Sequence, residues 1–305
     1  MCPAGGKCTD RGRLIVAFTI GLNQGAVMQA RLEEFLAGCG AHGFSEVELR
    51  VPKMIEALYH LGLEEFRRLL DDNGVRVTAV NSMDDFALVP DDHLGILERE
   101  AETVRDLCVA ARCDLVVAPL GRWFADREPE WPWVVDRSAS RLERIAKILG
   151  AEGIRVGLEP IGFPRFTVWS LEGAMEIAEA SGISDAVLVA DVYNLMRGRS
   201  DVESMRRYGS AIGLIHVNDS LHRDYDALDV MYTRSFPGEG VLNPGEWVRS
   251  AVAGGFDGAV SMELFPRDVW DMDIGDALGY CRTKADAFAE TLNFLEPERN
   301  HRARR

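Results

Sequence analysis

Short β-branched runs alternate with amphipathic stretches along nearly the whole chain, and that rhythm leaves few folds open. LIVAF (14 to 18) precedes a helical pattern at 27 to 39, SEVEL (45 to 49) one at 63 to 72, and VRVTAVN (75 to 81) one at 94 to 111. DLVVAP (114 to 119) precedes 137 to 151, IRVGLE (154 to 159) precedes 171 to 180, and AVLVAD (186 to 191) precedes 202 to 208. IGLIH (212 to 216) then leads to 244 to 253, and GAVSME (258 to 263) to a closing helix at 274 to 294. Short β-branched apolar runs and the amphipathic stretches between them mark strands and helices in turn. Eight βα units in 305 residues predict an α/β fold, a (β/α)8 TIM barrel, because a doubly wound sheet rarely needs eight.

Punctuation agrees with the count. Ser170 is a capping residue for LEGAMEIAEA, and Asn243 with Pro244 opens PGEWVRSAVA. Gly74, Gly153, Gly182 and Gly255 each stand between a helix and the next strand, where a left-handed cap is usual. No linker interrupts the chain, so the expected organisation is a flexible tail at 1–13, one barrel domain at 14–295 and a basic tail at 296–305.

Charge and cysteine usage narrow the partners. Thirty-four basic residues against 49 acidic ones give −15, a balance that repels polyanions and argues against nucleic acid. Six cysteines without a CxxC pair predict reduced thiols in a cytoplasmic protein; Cys2 and Cys8 frame a small tail where a zinc clip is the weaker reading. The opening segment lacks an apolar signal region and no run reaches the length of a membrane span, so no membrane partner is expected.

Function is sought at the strand ends, because the C-terminal mouth of such a barrel carries the active site. Strands five to eight end in Glu159, Asp191, His216 and Glu263. Three carboxylates brought together would repel one another and hold protons, a penalty that one divalent metal removes; Mn²⁺, Co²⁺, Mg²⁺ and Zn²⁺ all suit the donors. The competing reading makes the carboxylates partners of arginines and His216 a core histidine. Four such residues on consecutive strands favour the metal. Asn81 ends strand three. Trp123, with Trp131 and Trp133, lies in the loop after strand four, where it is a candidate wall behind a sugar ring. The loop 217 to 243 is long enough to be a lid or specificity element and carries His222 within reach of a substrate.

The segments GLEPIGFPRFTVWSLEGAMEI, LVADVYNLMRG, IGLIHVNDS, SFPGEGVLNPGEW and VSMELFPRDVW, in that order, resemble the xylose-isomerase-like superfamily of sugar isomerases, epimerases and dehydratases, which also includes abasic-site endonucleases. Within it these segments look like those of the inosose isomerases of inositol catabolism. The resemblance runs from about Leu14 to Phe294 and is most specific in the second half. It implies that Glu159, Asp191, His216 and Glu263 hold the metal and that Glu159 and Glu263 also serve as acid and base. It further implies that Arg234 contacts substrate oxygen, the alternative being a loop arginine paired with Glu239 or Asp229. Two positions depart from the pattern: Asn194 and Phe163 stand where relatives carry histidines. Asn194 still hydrogen-bonds a hydroxyl but cannot shuttle a proton, and Phe163 offers only an apolar face.

The expected activity is therefore isomerisation or epimerisation of a small keto-sugar or keto-polyol by proton transfer through a metal-stabilised enediolate. A keto-inositol or keto-sugar dehydratase is the alternative on the same site. An abasic-site endonuclease, which wants more histidines and a basic face, and a non-catalytic binding barrel rank lower. Barrels of this kind often pair as homodimers, although no interface is marked in the sequence.

Overall fold

The structure, a computed structural model, describes residues 7–10, 13–16, 19–222, 224 and 227–292. The expected basic tail, most of the N-terminal tail and Cys2 of the suggested zinc clip lie outside them. Eight strands close into a parallel barrel: β1 Ile20–Asn23, β2 Glu46–Arg50, β3 Arg76–Asn81, β4 Leu115–Pro119, β5 Arg155–Glu159, β6 Val187–Asp191, β7 Ile212–Val217 and β8 Ala259–Met262. Each strand pairs with its neighbours in sequence, and β8 closes the ring onto β1 by setting Val260 opposite Ile20. Helices return the chain outside the barrel after each strand, and among the described residues none is long and apolar enough to cross a membrane.

The first strand departs from expectation. Arg13–Val16 pairs antiparallel with Lys7–Asp10, apart from the barrel, and Ile20–Asn23 takes the barrel position. An apolar run alone does not distinguish a ribbon strand from a barrel strand. IGLN meets the further requirement: it is buried throughout and ends on a polar side chain at the mouth. Three helices differ as well, the first of them running Leu32–Ala41 in place of the expected 27 to 39. Val51–Leu61 precedes Leu63–Asp72 in the second unit, with Gly62 at φ +75° breaking them apart. Trp131–Gly150 begins before residue 137, with Pro132 in its first turn, so Trp131 and Trp133 open a helix instead of lying in a loop. Ser170 caps Leu171–Ser181 as expected by accepting the Gly173 amide at 3.3 Å, and Gly182 closes that helix at φ +68°. Asn243 precedes Pro244–Ala253 without capping it; its side-chain amide donates to Glu246 at 2.9 Å.

The larger core lies between barrel and helices. A smaller one fills the barrel itself with Ala79, Leu115, Val117, Val189 and Leu214. Alternation makes that inner plug informative, because a residue two positions beyond an inward side chain also points inward. Asn81, Pro119, Asp191 and His216 stand two beyond Ala79, Val117, Val189 and Leu214. The plug thus forms an apolar floor, and the next inward layer begins the polar mouth. Cys39, Cys108, Cys113 and Cys281 are buried free thiols.

Candidate metal centre at the barrel mouth

Glu159, Asp191, His216 and Glu263 converge above that floor, with one potential ligand atom from each lying within 4.8 Å of the others. Strand register brings them together: Asp191 on β6 is opposite His216 on β7, and His216 is opposite Ser261 on β8, two residues before Glu263. His216 Nδ1 lies 3.4 Å from Glu159 Oε1, 3.3 Å from Glu263 Oε2 and 4.0 Å from Asp191 Oδ2. All four residues are buried.

Each carboxylate is held differently. Asp191 caps the short helix Val192–Arg197, where Oδ1 accepts the Asn194 amide at 2.7 Å. Its Oδ2 accepts from Asn218 at 2.9 Å and from Arg234 at 2.8 Å. Glu263 is gripped at both oxygens: Oε1 accepts from Asn23 at 3.2 Å and Asn81 at 3.1 Å, and Oε2 from Arg234 at 3.1 Å. Glu159 has the loosest hold, a 3.4 Å bond from Asn194 and the His216 contact. Burial pushes its carboxyl up to about 7, with the neighbouring Glu263 and Asp191 charges adding to the rise and His216 opposing it. Burial also raises Asp191, against the lowering pull of Arg234. Burial works against the His216 cation, but the charges of Glu263 and Glu48 outweigh it and hold the imidazolium well above its ordinary range.

This is a poor resting state without added positive charge. Two carboxyls resist ionisation and one imidazole is forced to carry a proton. A divalent cation corrects both faults, so the residues fit one: three oxygens and a nitrogen, compact and buried, suit Mn²⁺, Co²⁺, Mg²⁺ or Zn²⁺.

The remaining expected site residues divide. Arg234 reaches the cluster from a two-residue strand, Arg234–Ser235, paired with Asp219–Ser220. It does not pair with Glu239, whose partner is Lys284, or with the Asp229 carboxylate. Asn194 is buried against Glu159 and leaves its Oδ1 without a partner. Asn81 bridges Glu263 and Glu48, donating to the latter at 2.7 Å. These three line a cavity of about 260 Å³ with Arg50, Arg122 and Phe265 among its other walls. Trp123 and His222 are not among the lining side chains. Trp123 bonds through its amide to the Arg165 carbonyl at 3.0 Å, and Arg122 beside it faces the cavity instead. His222 is exposed and tied by its backbone to Ser220. Phe163 packs in the core, stacked on Tyr193 at 5.8 Å between ring centres.

Sequence reading missed Glu48, Asn23 and Asn218. Glu48 sits among the alternating charges of EVELR, and only closure of the ring turns its face into the buried barrel interior. Asn218 and Asp219 belong to the HVND motif. The Asp219 carboxylate accepts the Gly238 amide at 3.1 Å and the Leu242 amide at 2.8 Å, fastening the PGEG loop. Gly240 is required there, because a β-carbon would lie 2.2 Å from the Ser220 carbonyl oxygen.

Comparison with known proteins supplies the wider setting. Residues 36–297 match the family model described as xylose isomerase-like TIM barrel. The inosose isomerase of Halalkalibacterium halodurans is 25% identical over 276 residues, covering 89% of this chain and 95% of that protein. The 3-dehydroshikimate dehydratase of Pseudomonas aeruginosa is 25% identical over 245 residues, 78% of this chain but 37% of the longer relative. Among solved structures, the IolI protein with a bound zinc atom superposes with a TM-score of 0.82 at 21% identity, covering 90% of this chain and 99% of that one.

Proposed function

The chain belongs to the xylose isomerase-like TIM barrel family, and from that premise we propose that it is a divalent-metal-dependent isomerase or epimerase of a small keto-sugar or keto-polyol. The convergence of Glu159, Asp191, His216 and Glu263 within 4.8 Å is the observation that carries the reading. These four residues would hold the ion, which would supply Lewis acidity toward a substrate carbonyl.

The protein groups divide the remaining work. Glu159 takes the proton from the carbon beside the ketone: it is the least restrained of the three carboxylates and lines the cavity. Glu263, fixed by Asn23, Asn81 and Arg234, also lines the cavity and returns a proton to the adjacent carbon or the opposite face. Asn194 presents its unpartnered Oδ1 to a substrate hydroxyl, and Arg234 presents its guanidinium to a substrate oxygen. Phe265, Phe166 and Ile161 give the cavity an apolar wall, which limits water around the reacting carbons. The cavity's size suits a metabolite and not a polymer.

The inosose isomerase relatives make a keto-inositol the first substrate to try, and the dehydratase relative supports elimination of water as the second reading. Incubation of metal-loaded protein with keto-polyols in deuterated water separates them. Solvent deuterium at the carbon beside the ketone with no loss of water is the expected result; loss of water moves the assignment to a lyase. A protein that binds no stoichiometric divalent ion sinks the proposal.

A further inference from the structure

Glu48 is fully buried on β2 and reaches across the barrel to β7, where both of its oxygens lie 3.1 Å from His216 Nε2. Asn81 fixes the carboxylate from the side with a 2.7 Å bond to Oε1. Among the described residues the only ion-pair partner of Glu48 is His216. Stability alone accounts poorly for this arrangement, because desolvating a carboxylate against a single imidazole is costly and a well-packed apolar pair would serve as well. The geometry does have a directional consequence. With Nε2 committed to Glu48, Nδ1 is the nitrogen that faces Glu159, Asp191 and Glu263. Without that anchor the ring could turn over and offer the wrong nitrogen.

We propose that Glu48 is a positioning residue for the metal: it accepts the Nε2 proton of His216, fixes the ring with Nδ1 toward the three carboxylates, and thereby sets metal affinity. The inference rests on the metal reading of the site. A carboxylate behind a metal-bound imidazole both orients the ring and strengthens it as a donor, and losing such a partner typically weakens binding by about 10- to 100-fold. Asn81 extends the effect, since it ties the same carboxylate to Glu263.

The test compares wild type with Glu48→Gln and Glu48→Asp, using zinc or manganese ions alone in competition with a calibrated chelator. Glu48→Gln preserves shape and one acceptor oxygen, and its metal Kd is expected to rise about 10- to 100-fold, with Glu48→Asp recovering part of the loss. A Glu48→Gln Kd within twofold of wild type, even with a lowered melting temperature of the metal-free protein, overturns the inference and leaves Glu48 a structural residue. Wild-type protein labelled with ¹⁵N-histidine and loaded with zinc gives a readout independent of any variant's folding. His216 should carry its proton on Nε2 and show the metal-shifted resonance at Nδ1; metal on Nε2 overturns the proposal. Failure of wild type to bind the ion at all defeats the functional reading as well, whereas binding by wild type with an unchanged variant defeats this inference alone.

Discussion

The two halves of the barrel serve one polar cluster in different ways. From β5 to β8 come Glu159, Asp191, His216 and Glu263, whose ligand atoms face one another. From β1 to β3 come Asn23, Glu48 and Asn81, which bind no common centre but hold members of the first set: Asn23 and Asn81 grip Glu263, and Glu48 grips His216. The first half buttresses; the second does the proposed chemistry. The difference teaches that a charged side chain deep in a barrel is explained by what it orients as much as by what it could react with.

The largest expected effect lies in the chemical half. Glu159→Gln should lower turnover on a keto-polyol substrate by about 10²- to 10⁴-fold while leaving the fold intact, because it removes a proton acceptor and keeps the shape. Glu263→Gln should do the same, and because both residues are among the four that would hold the ion, each variant should also bind the metal more weakly. Steady-state kinetics with metal analysis checks both. Full activity in either variant would break the division between the halves.

The pH dependence comes next. Glu159 binds its proton more tightly in the folded chain, at about 7, than an exposed carboxylate would. Its stabilising contribution is therefore complete below the ordinary carboxylate range and is lost as pH rises through about 7. His216, also raised, acts in the same direction at higher pH. Glu48 is lowered, because the His216 charge and the bonds from His216 and Asn81 outweigh its burial; its contribution is lost only as pH falls below the usual carboxylate range. Metal-free protein should consequently melt at lower temperature as pH rises from about 5 to 8, and metal should remove the trend. Metal affinity itself should rise by up to about tenfold per pH unit for each proton displaced. Calorimetry in buffers of different ionisation enthalpy counts those protons, and a flat profile would mean that the quartet is already ionised.

Asn81→Ala tests the buttress. Its side chain donates to two carboxylates at once, so truncation leaves both short of a partner in a place water barely reaches. A loss of about 1 to 3 kcal/mol of stability is expected by denaturant melts, with a smaller fall in turnover than Glu159→Gln produces. An effect on turnover as large as that of Glu159→Gln would move Asn81 into the chemical half.

The same division governs what could be read from the sequence. The quartet was legible because its members end apolar strand runs, where a change from hydrophobic to charged is abrupt. Helices such as Leu94–Ala111 and Val202–Tyr208 were legible to the residue because their apolar period is clear. The buttress was hidden: in EVELR, Glu48 sits among alternating charges and reads like one face of an ordinary half-exposed strand. Only ring closure, which turns that face into the barrel interior, makes it buried. Strand β1 was misplaced for a related reason, since LIVAF is the more apolar run while IGLN owes its burial to pairing with both β8 and β2. Trp123 and His222 were plausible by loop position, but whether a loop side chain turns inward depends on backbone pairing that no local pattern encodes.

The smallest effect belongs to the rim, which the comparison assigns to neither half. Arg122 forms a two-bond pair with Asp85, at 3.2 and 2.6 Å, and its guanidinium lies 5.5 Å from the ring centre of Phe124 and 5.8 Å from that of Phe166. Water reaches this pair, the arginine side chain being 46% exposed, so screening removes most of its Coulomb gain. Arg122→Ala should therefore change unfolding stability by no more than about 1 kcal/mol. The side chain still lines the cavity, and its loss should raise KM while leaving kcat and metal affinity within about twofold of wild type, the pattern expected when binding shared by ground and transition states is removed. A fall in kcat would instead place Arg122 among the groups that act on the reacting atoms, and the working site would then extend to the loop after β4, beyond the strand ends that define it here.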